Sequence, residues 1–438
     1  MIKKTLKVLL IIKYIIITQL LTIVYALSND QIIDNSKDLI IEIQIKGNRK
    51  TKTHIILQEM VINKGDYVDI NKIEISRQAI FDLELFKSVQ TNLVDHKNGK
   101  ILIITVKEKY YFLPLPRLGR SSDGDIFYGG ELKLNNFLGL NQTFETLWQK
   151  KIIKDSYLNK EQIIDFKFNY PRVYGSGYEF ELDVEHKQAE IEKTFNNLTG
   201  IYIGDFTHLN FEIGYWLKPK GPSKGWKVKS GILFDLKKYE LKEGVPDLYF
   251  DNNIIGLSLS INYDEINHLD YNKKGIYFQY KSIWSIKSLG SYYNYNHHIF
   301  IFRYYYSLPC FNYTNLNFQW IMEYVSKNIF IDPFFKLGGS TSLRGYSRES
   351  VQGNMYNLFN IEYLAPIGFN SIRGVFFIDI GNSYFQLRNF DITDQKIGIG
   401  CGLRWKIKSL VRTDLRLDFA YGIKEDIMKI YIGANAMF

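Results

Sequence analysis

From residue 109 to residue 438, one pattern recurs along the chain: apolar and polar residues alternate one by one over short stretches. Tyr178, Phe180, Leu182 and Val184 alternate with Glu179, Glu181, Asp183 and Glu185, and similar stretches cover 209–215, 276–280 and 415–421. Alternation of this kind predicts β-strands with one apolar face. Aromatic residues make up 16% of the chain, with 32 Tyr and 30 Phe. Such rings favour half-buried sheet surfaces and membrane–water interfaces.

A transmembrane barrel explains this pattern better than a soluble sandwich, although both have the same period. An aromatic-rich apolar face opposite a strongly charged face fits strands that separate lipid from water. Lipid cannot hydrogen-bond a free strand edge, so the sheet has to close. Dividing about 330 residues by roughly 20 per strand gives about 16 strands, with 14 and 18 as neighbouring even counts. We therefore predict a mainly β fold, an antiparallel transmembrane barrel over 109–438.

The first 26 residues have the layout of a secretory signal peptide. A lysine-bearing start runs to Lys13, an Ile-rich apolar stretch follows, and Val24-Tyr25-Ala26 suits signal peptidase. A permanent membrane anchor is the alternative, but the apolar stretch is about half the ~20 residues that a spanning helix needs. We predict export, with cleavage after Ala26.

Between residues 36 and 108 the pattern predicts a small α+β domain. An alternating strand at 39–45 ends at Gly47-Asn48, and a short helix follows for which Thr51 or Thr53 would be the cap. Asp69 is the predicted cap of a second helix, and two strands at 89–94 and 100–106 form a hairpin. The predicted order is strand, helix, helix, strand, strand.

Composition gives little support to catalytic or nucleic-acid functions. The net charge is +9, but Lys and Arg are interleaved with acids outside the N-terminal segment, which is typical of a solvated or headgroup-facing surface. The seven His and two Cys form no cluster with metal-ligand or nucleophile spacing. We expect no enzyme, cofactor, metal site or nucleic-acid partner. Cys310 and Cys401 can pair, but their spacing does not require it.

An ordered set of motifs resembles the BamA/TamA-type outer-membrane assembly superfamily. The small domain carries Ile43-x-Ile45-x-Gly47-Asn48 and Val106-x-Glu108, which resemble a POTRA domain; Glu84 stands where that family usually has Gly, which predicts a different helix closure. Later come Asn136-Phe-Leu-Gly139, Leu343-Arg344-Gly345-Tyr346, Asn360-Ile-Glu362-Tyr363, Phe376-Phe-Ile-Asp379-Ile-Gly381, Gly398-Ile-Gly400-Cys-Gly402-Leu-Arg404 and Arg416-Leu-Asp418-Phe419. The resemblance covers residues 39–438.

The resemblance implies that the loop carrying Leu343, Arg344, Gly345 and Tyr346 folds back into the barrel lumen. There Arg344 would meet Asp379, and Gly381 is assigned to the same wall site. A guanidinium and a carboxylate can form a bidentate pair, which would fix the loop in place. The alternative is that Arg344 only braces the barrel, and the two interpretations overlap.

The last residues resemble the C-terminal β-signal of outer-membrane proteins. Its elements would be Gly433, the apolar position Ala436 and the terminal Phe438. The small Ala436 and a Tyr at the usual polar position depart from the pattern.

The resemblance implies a factor in the bacterial outer membrane, with its POTRA domain in the periplasm, that inserts barrel proteins or translocates polypeptides. Its partners would be unfolded outer-membrane or exported proteins, outer-membrane lipids and accessory assembly proteins. A dedicated two-partner secretion pore is one alternative. Such pores usually carry two POTRA domains and a plug helix, and about 12 residues between Ala26 and the first strand leave room for neither. A passive porin or adhesin is an alternative of another class.

Overall fold

The structure is a computed structural model that describes most of the chain from residue 38 onward. It covers 38–120, 126–152, 161–195, 198–246, 251–308, 313–326, 334–386, 389–391, 393–411 and 414–434. The predicted signal peptide, Cys310, Ala436 and Phe438 lie outside the described residues. Cys401 is unpaired and exposed. No helix among the described residues is long and apolar enough to cross a membrane.

An N-terminal domain, residues 38–108, has the predicted order of elements. These are β1 (Ile40–Lys46), α1 (Thr53–Leu57), α2 (Ile70–Asp82), β2 (Phe86–His96) and β3 (Gly99–Glu108). The sheet order is β1-β3-β2, with β1 parallel and β2 antiparallel to β3. The βααββ prediction is therefore confirmed, and β1 and β2 are the edges of the sheet.

The helix caps agree with the sequence prediction only in part. The Asp69 side chain accepts a hydrogen bond from the Lys72 N–H at 3.1 Å, so the predicted cap of α2 is correct. The prediction for α1 is wrong, because its N-cap is Lys52, which makes no side-chain cap bond. Thr51 instead donates its hydroxyl to Glu108 at 2.7 Å. The Thr51 hydroxyl therefore binds Glu108, 57 residues away, and does not cap the helix as local spacing had predicted.

Glu84 adopts the left-handed conformation that glycine favours, with φ of 60° just after α2. An L-residue held there costs about 1–2 kcal/mol. The Glu84 carboxylate lies 3.1 Å from Nδ1 of His268, which belongs to the second domain. Glu84 thus combines a contact to a residue distant in sequence with a backbone conformation that glutamate does not favour.

The second domain is a closed barrel. Within the described residues, sixteen strands of eight or more residues and one two-residue strand, β12, form it. Its strands are β4 (Phe112–Arg120), β5 (Ile126–Phe137), β6 (Gln142–Ile152), β7 (Glu161–Tyr170), β8 (Tyr178–Phe195), β9 (Leu198–Trp216), β10 (Gly225–Gly244), β11 (Asn252–Asp264), β12 (Asn267–His268), β13 (Lys273–Ser285), β14 (Tyr295–Ser307), β15 (Asn315–Val325), β18 (Met355–Ile367), β19 (Phe369–Tyr384), β20 (Lys396–Lys406), β21 (Asp414–Gly422) and β22 (Ile427–Ala434). A separate hairpin consists of β16 (Phe335–Leu337) and β17 (Val351–Gly353). The prediction of about 16 strands is confirmed.

The two faces of the barrel wall divide as the alternation predicted. Tyr178 is 54% exposed on the outside, whereas its neighbour Glu179 is 5% exposed. Inward acids pair with lysines two or three strands away around the barrel: Lys227 and Glu179, Lys229 and Glu181, and Lys281 and Glu212. Alternate residues of a strand point to opposite faces, so each strand supplies both an apolar exterior and a charged lumen.

The N-terminal domain is docked onto the turn end of the barrel. Near the linker, the Lys52 N–H donates to the Gly139 carbonyl at 3.0 Å, and Asn136 Nδ2 donates to the Thr51 hydroxyl at 2.9 Å. Leu140 and Val411, from two barrel turns, pack against the hydrophobic core of the domain. The turns of the barrel therefore complete the core of the smaller domain.

The part of this interface that lies away from the linker is polar. The buried carboxylate of Glu59 accepts bonds from the Ser223 N–H at 2.6 Å and the Ser223 hydroxyl at 2.8 Å. Asp82 accepts from the His268 N–H at 2.7 Å and lies 2.6 Å from Lys224 Nζ. Burial raises the pKa of Glu59 above its ordinary value, since desolvation outweighs the opposing effect of the nearby Arg172 guanidinium and the Ser223 hydrogen bonds.

Candidate functional site: the loop inside the barrel

The segment between β15 and β18, residues 334–354, enters the lumen; it is called the lumen loop here. Leu343 and Tyr346 are fully buried within a hydrophobic cluster. The loop contributes Phe335, Leu337, Leu343, Tyr346 and Val351 to this cluster, and the wall contributes Leu233, Ile254, Ile283, Tyr295, Val325, Tyr356 and Leu358. Burial of these side chains holds the loop against several strands at once.

Arg344 and Asp379 form the contact that the resemblance implied. Arg344 Nε donates to Asp379 Oδ2 at 2.7 Å, and Arg344 Nη2 donates to Oδ1 at 2.8 Å. The backbone N–H of Arg344 also donates to Oδ2 at 3.1 Å. The guanidinium lies over the ring of Phe377, 3.5 Å from its centre. Asp379 thus receives a bidentate pair and a main-chain bond from one loop residue.

Three further charged residues complete the site, and sequence reasoning had not assigned them to it. Arg344 Nη1 donates to Glu362 at 2.8 Å and lies 3.4 Å from Asp418. Arg404 bridges the same two carboxylates, with Nη2 at 3.0 Å from Glu362 and Nη1 bonded to Asp418. All five side chains are at most 2% exposed.

A signal for these partners was present in the strand motifs. The register pairs Asn360 with Asp379 and Asp379 with Gly398, so β18, β19 and β20 present neighbouring inward positions. Glu362 and Arg404 lie an even number of residues from that row and therefore face the lumen as well. Asn360 Nδ2 donates to Asp379 Oδ1 at 2.8 Å, which fixes that carboxylate further.

Glycines allow the loop backbone to lie against the wall. Gly345 has φ of 89°, and a Cβ there would lie 2.5 Å from the Gly422 nitrogen. A Cβ on Gly422 would lie 2.5 Å from the Gly345 carbonyl oxygen, and one on Gly398 would overlap the Arg344 carbonyl oxygen. Main chain meets main chain here, so a side chain at any of the three positions would push the loop away.

Gly381 is not part of the Arg344 contact, and that assignment is wrong. A Cβ on Gly381 would meet the Asn357 carbonyl oxygen at 2.7 Å and Leu358 at 3.1 Å. Gly381 pairs with Leu358 and Lys396, two residues along the strand from Asp379. The wall glycine against Arg344 is Gly398, from the next strand.

Two tyrosine hydroxyls anchor the main chain around the motif. The Tyr346 hydroxyl donates to the Ile397 carbonyl at 3.1 Å and accepts from the Ile397 N–H at 3.1 Å. The Gly345 N–H donates to the Tyr431 hydroxyl at 3.2 Å. Gly345 is therefore bonded to β22, and Tyr346 is bonded to β20 beside the Arg344 contacts.

Known families match both parts of this architecture. The model of the Omp85 superfamily domain matches residues 136–429, more than half of the chain, and the POTRA family, described as a surface antigen variable number repeat, matches residues 39–109. The chain belongs to the Omp85 superfamily. Solved structures agree with this chain in fold at low sequence identity. BamA from Haemophilus ducreyi lacking POTRA domains 1–3 has a TM-score of 0.52 at 14% identity, over 91% of this chain and 84% of that chain.

Two further comparisons show how far the similarity extends. CdiB from Acinetobacter baumannii has a TM-score of 0.62 at 14% identity, over 91% of this chain and 73% of that chain. A curated relative, the outer membrane protein assembly factor BamA of Neorickettsia risticii, is 27% identical over 129 residues. That match spans 29% of this chain and 17% of the relative, so most of the relative lies outside it.

The last described strand of the Omp85 barrel explains the unusual Tyr in the predicted β-signal. Tyr431 points into the lumen, where it receives the Gly345 N–H, while Ile430 and Ile432 are exposed outside. Gly433 pairs with Arg416 on β21, and a Cβ there would lie 3.3 Å from Arg416 Nε. The position that is usually polar is therefore occupied by a residue whose hydroxyl binds the lumen loop. The role of Gly433, Ala436 and Phe438 as a β-signal stays a prediction.

Proposed function

We propose that this chain inserts β-barrel proteins into the bacterial outer membrane or passes polypeptides across it, without catalysing covalent chemistry. The POTRA domain would face the periplasm, and the partners would be unfolded outer-membrane or exported proteins, outer-membrane lipids and accessory assembly proteins. The observation that carries the proposal is the composition of the seam between β4 and β22.

The seam edge of β4 lacks two hydrogen-bond donors. The Asn135 N–H donates to the Tyr111 carbonyl at 2.8 Å, and β4 pairs with β5 without a register shift. Alternate residues of an antiparallel strand bond to the same neighbour, so the even-numbered residues of β4 face β22. Pro114 and Pro116 are two of these, and proline has no N–H. The first strand therefore has a weak edge where the barrel closes.

On the other side of the seam, strand β22 weakens towards the end of its described residues. β22 ends in Gly433 and Ala434, and glycine in a strand interior weakens it. A seam with missing donors on one strand and a glycine in the other would open at lower cost than a fully paired neighbour. Such an opening would admit a client strand, meaning a strand of the protein being inserted, or lipid.

The POTRA sheet offers a second place for strand addition. β2 is an edge strand, and its Ser88–Gln90 section borders a groove of about 550 Å³ between the domain and barrel turns near His268 and Tyr313. An extended segment can add to such an edge through main-chain hydrogen bonds. A client held there would lie beside the barrel rather than in its lumen.

A passive porin fits the lumen less well. The lumen loop and its hydrophobic cluster obstruct the barrel interior, and the POTRA domain is docked at the turn end. A porin needs a water-filled path between the two ends.

The test is depletion of the protein in its host, with outer-membrane levels of other barrel proteins measured over time. A broad fall in those levels supports general assembly. Loss of only one or two exported proteins would assign the chain to dedicated secretion. Unchanged levels of all of them would contradict the proposal and favour a porin or adhesin.

A further inference from the structure

A small cavity lies at the turn end of the lumen, on the side of Arg404 that faces away from the lumen loop. Its volume is about 30 Å³, room for a single water-sized particle. The charged residues that line it are four cations and two carboxylates: Lys273, Arg373, Arg404, Lys406, Glu362 and Asp414.

Arg373 is the buried charge that the rest of the fold leaves without a partner. It is 7% exposed, and its Nε is enclosed with no acceptor. In the part of the chain that the structure describes, it donates no hydrogen bond and forms no ion pair. Asp414 lies within electrostatic range but beyond ion-pair distance. A buried guanidinium without a partner is strongly unfavourable, so this cavity is suited to a group that compensates it.

The charge balance around the cavity selects the sign of that group. Glu362 is already engaged by Arg344 at 2.8 Å and by Arg404 at 3.0 Å. The Lys273 ammonium lies 5.2 Å from the ring centre of Tyr305 rather than on a carboxylate. Glu84 also acts on Lys406, so Lys273, Arg373 and Lys406 face Asp414 and Glu84 as their remaining acids, which leaves the cavity with an excess of positive charge.

We propose that this cavity binds one small inorganic anion, chloride in ordinary buffers, held by Arg373 with Lys273 and Lys406. The volume leaves no room for a phosphate or a carboxylic acid. The anion would neutralise the turn end of the lumen and link β13, β19 and β20. This site is separate from client handling, so its failure would leave the proposed function intact.

The first test compares stability of the full chain in chloride and in gluconate at equal ionic strength. A ligand that binds only the folded state raises its unfolding midpoint, and gluconate is too large for the cavity. We expect a higher heat-unfolding midpoint in chloride, read from the mobility shift of the folded barrel on gels. Arg373→Gln should abolish the difference. Lys336→Gln is the matched control, because Lys336 lies in the lumen loop at the other end and pairs with Glu349 at 3.0 Å.

The second test is diffraction from crystals grown in bromide. An anomalous peak beside Arg373, lost in Arg373→Gln, is the expected result. Equal midpoints in both salts, or an ordered water in place of bromide, would overturn the site. A chloride effect that persists in Arg373→Gln would also overturn it, because the anion would then bind elsewhere.

Discussion

At the residue scale, Arg344 is the side chain on which the loop contact depends. Arg344→Ala would leave Asp379 without its bidentate partner, and Glu362 and Asp418 with Arg404 alone. Breaking a buried pair by removing one partner costs about 3–5 kcal/mol. We therefore expect the lumen loop to leave the wall and to become sensitive to protease in intact cells.

Two variants sharpen this prediction. Arg348→Ala is the control, because Arg348 lies in the same loop with an exposed side chain 3.4 Å from Glu349. Arg344→Lys keeps the charge but lacks the planar fork, so it should restore only part of the protection. Protease resistance equal to the unchanged protein in Arg344→Ala would show that the hydrophobic cluster alone holds the loop.

Glu59 gives a second prediction at this scale, on pH. Its raised pKa means that the folded protein holds the proton more tightly than the unfolded chain does. The resulting stability is fully present below the ordinary pKa of a glutamate and is lost as the pH rises through the raised value. Glu59→Gln should flatten this dependence of unfolding on pH.

The matched control is Glu74→Gln. The Arg77 hydrogen bond lowers the pKa of Glu74, so stability from that residue is present above its ordinary pKa and is lost as the pH falls. The two variants should therefore change the pH profile in opposite directions. Identical profiles for Glu59→Gln and the unchanged protein would refute the assignment.

What could be predicted at this scale depended on local signals. The Asp69 cap follows from neighbouring residues, and the Arg344–Asp379 contact followed from a family resemblance. The bonds from Ser223 to Glu59 join residues 164 positions apart, and no local pattern encodes such a pairing. Glu362, Arg404 and Asp418 were visible as alternating inward positions, but that they form one cluster with Arg344 and Asp379 requires the register of four strands.

At the element scale, the seam strand β4 carries a prediction. Replacing Pro114 and Pro116 together by Val restores two N–H groups on the β22 side. A typical intramolecular hydrogen bond contributes about 0.5–1.5 kcal/mol, so the pair should tighten the seam by about 1–3 kcal/mol. We expect a higher heat-unfolding midpoint and lower outer-membrane levels of client barrels.

Leu118→Val is the control on the same edge. Leu118 is also an even-numbered residue of β4, and it already has an N–H directed to β22. A variant with restored donors that assembles clients at the normal rate would show that the seam stays shut during function.

Strand lengths were the least predictable part of the elements. The alternation predicted strands of about the length that spans a membrane. Instead, β8, β9 and β10 contain 18, 19 and 20 residues, far more than the ~9–11 that spanning requires. Periodicity identifies the face of a residue but does not show where the lipid ends.

At the scale of the whole molecule, the barrel is obstructed by the lumen loop and is capped at its turn end by the POTRA domain. The contact between the POTRA domain and the barrel on the side away from the linker depends on Glu59 and Asp82. Replacing both by Ala removes the contacts with Ser223, Lys224 and His268, while the contacts of Lys52 and Thr51 near the linker remain. We expect a severalfold rise in ion conductance in planar bilayers.

Asp95→Ala controls for loss of surface charge, because Asp95 is 92% exposed in the β2–β3 hairpin. Conductance that stays at the original level in the double variant would mean that the lumen loop alone limits ion flow. In that case the lumen-loop variant Arg344→Ala should raise conductance by itself.

The glycine contact between loop and wall has a consequence for how such a protein can change over generations. Gly345, Gly398 and Gly422 leave no space for even a methyl group, and each is crowded by main chain rather than by a movable side chain. A substitution at one position cannot be compensated by trimming a neighbour, since backbone atoms cannot be trimmed. Single substitutions at this contact are therefore not tolerated one after another. A different loop sequence requires simultaneous changes in the loop and in the wall.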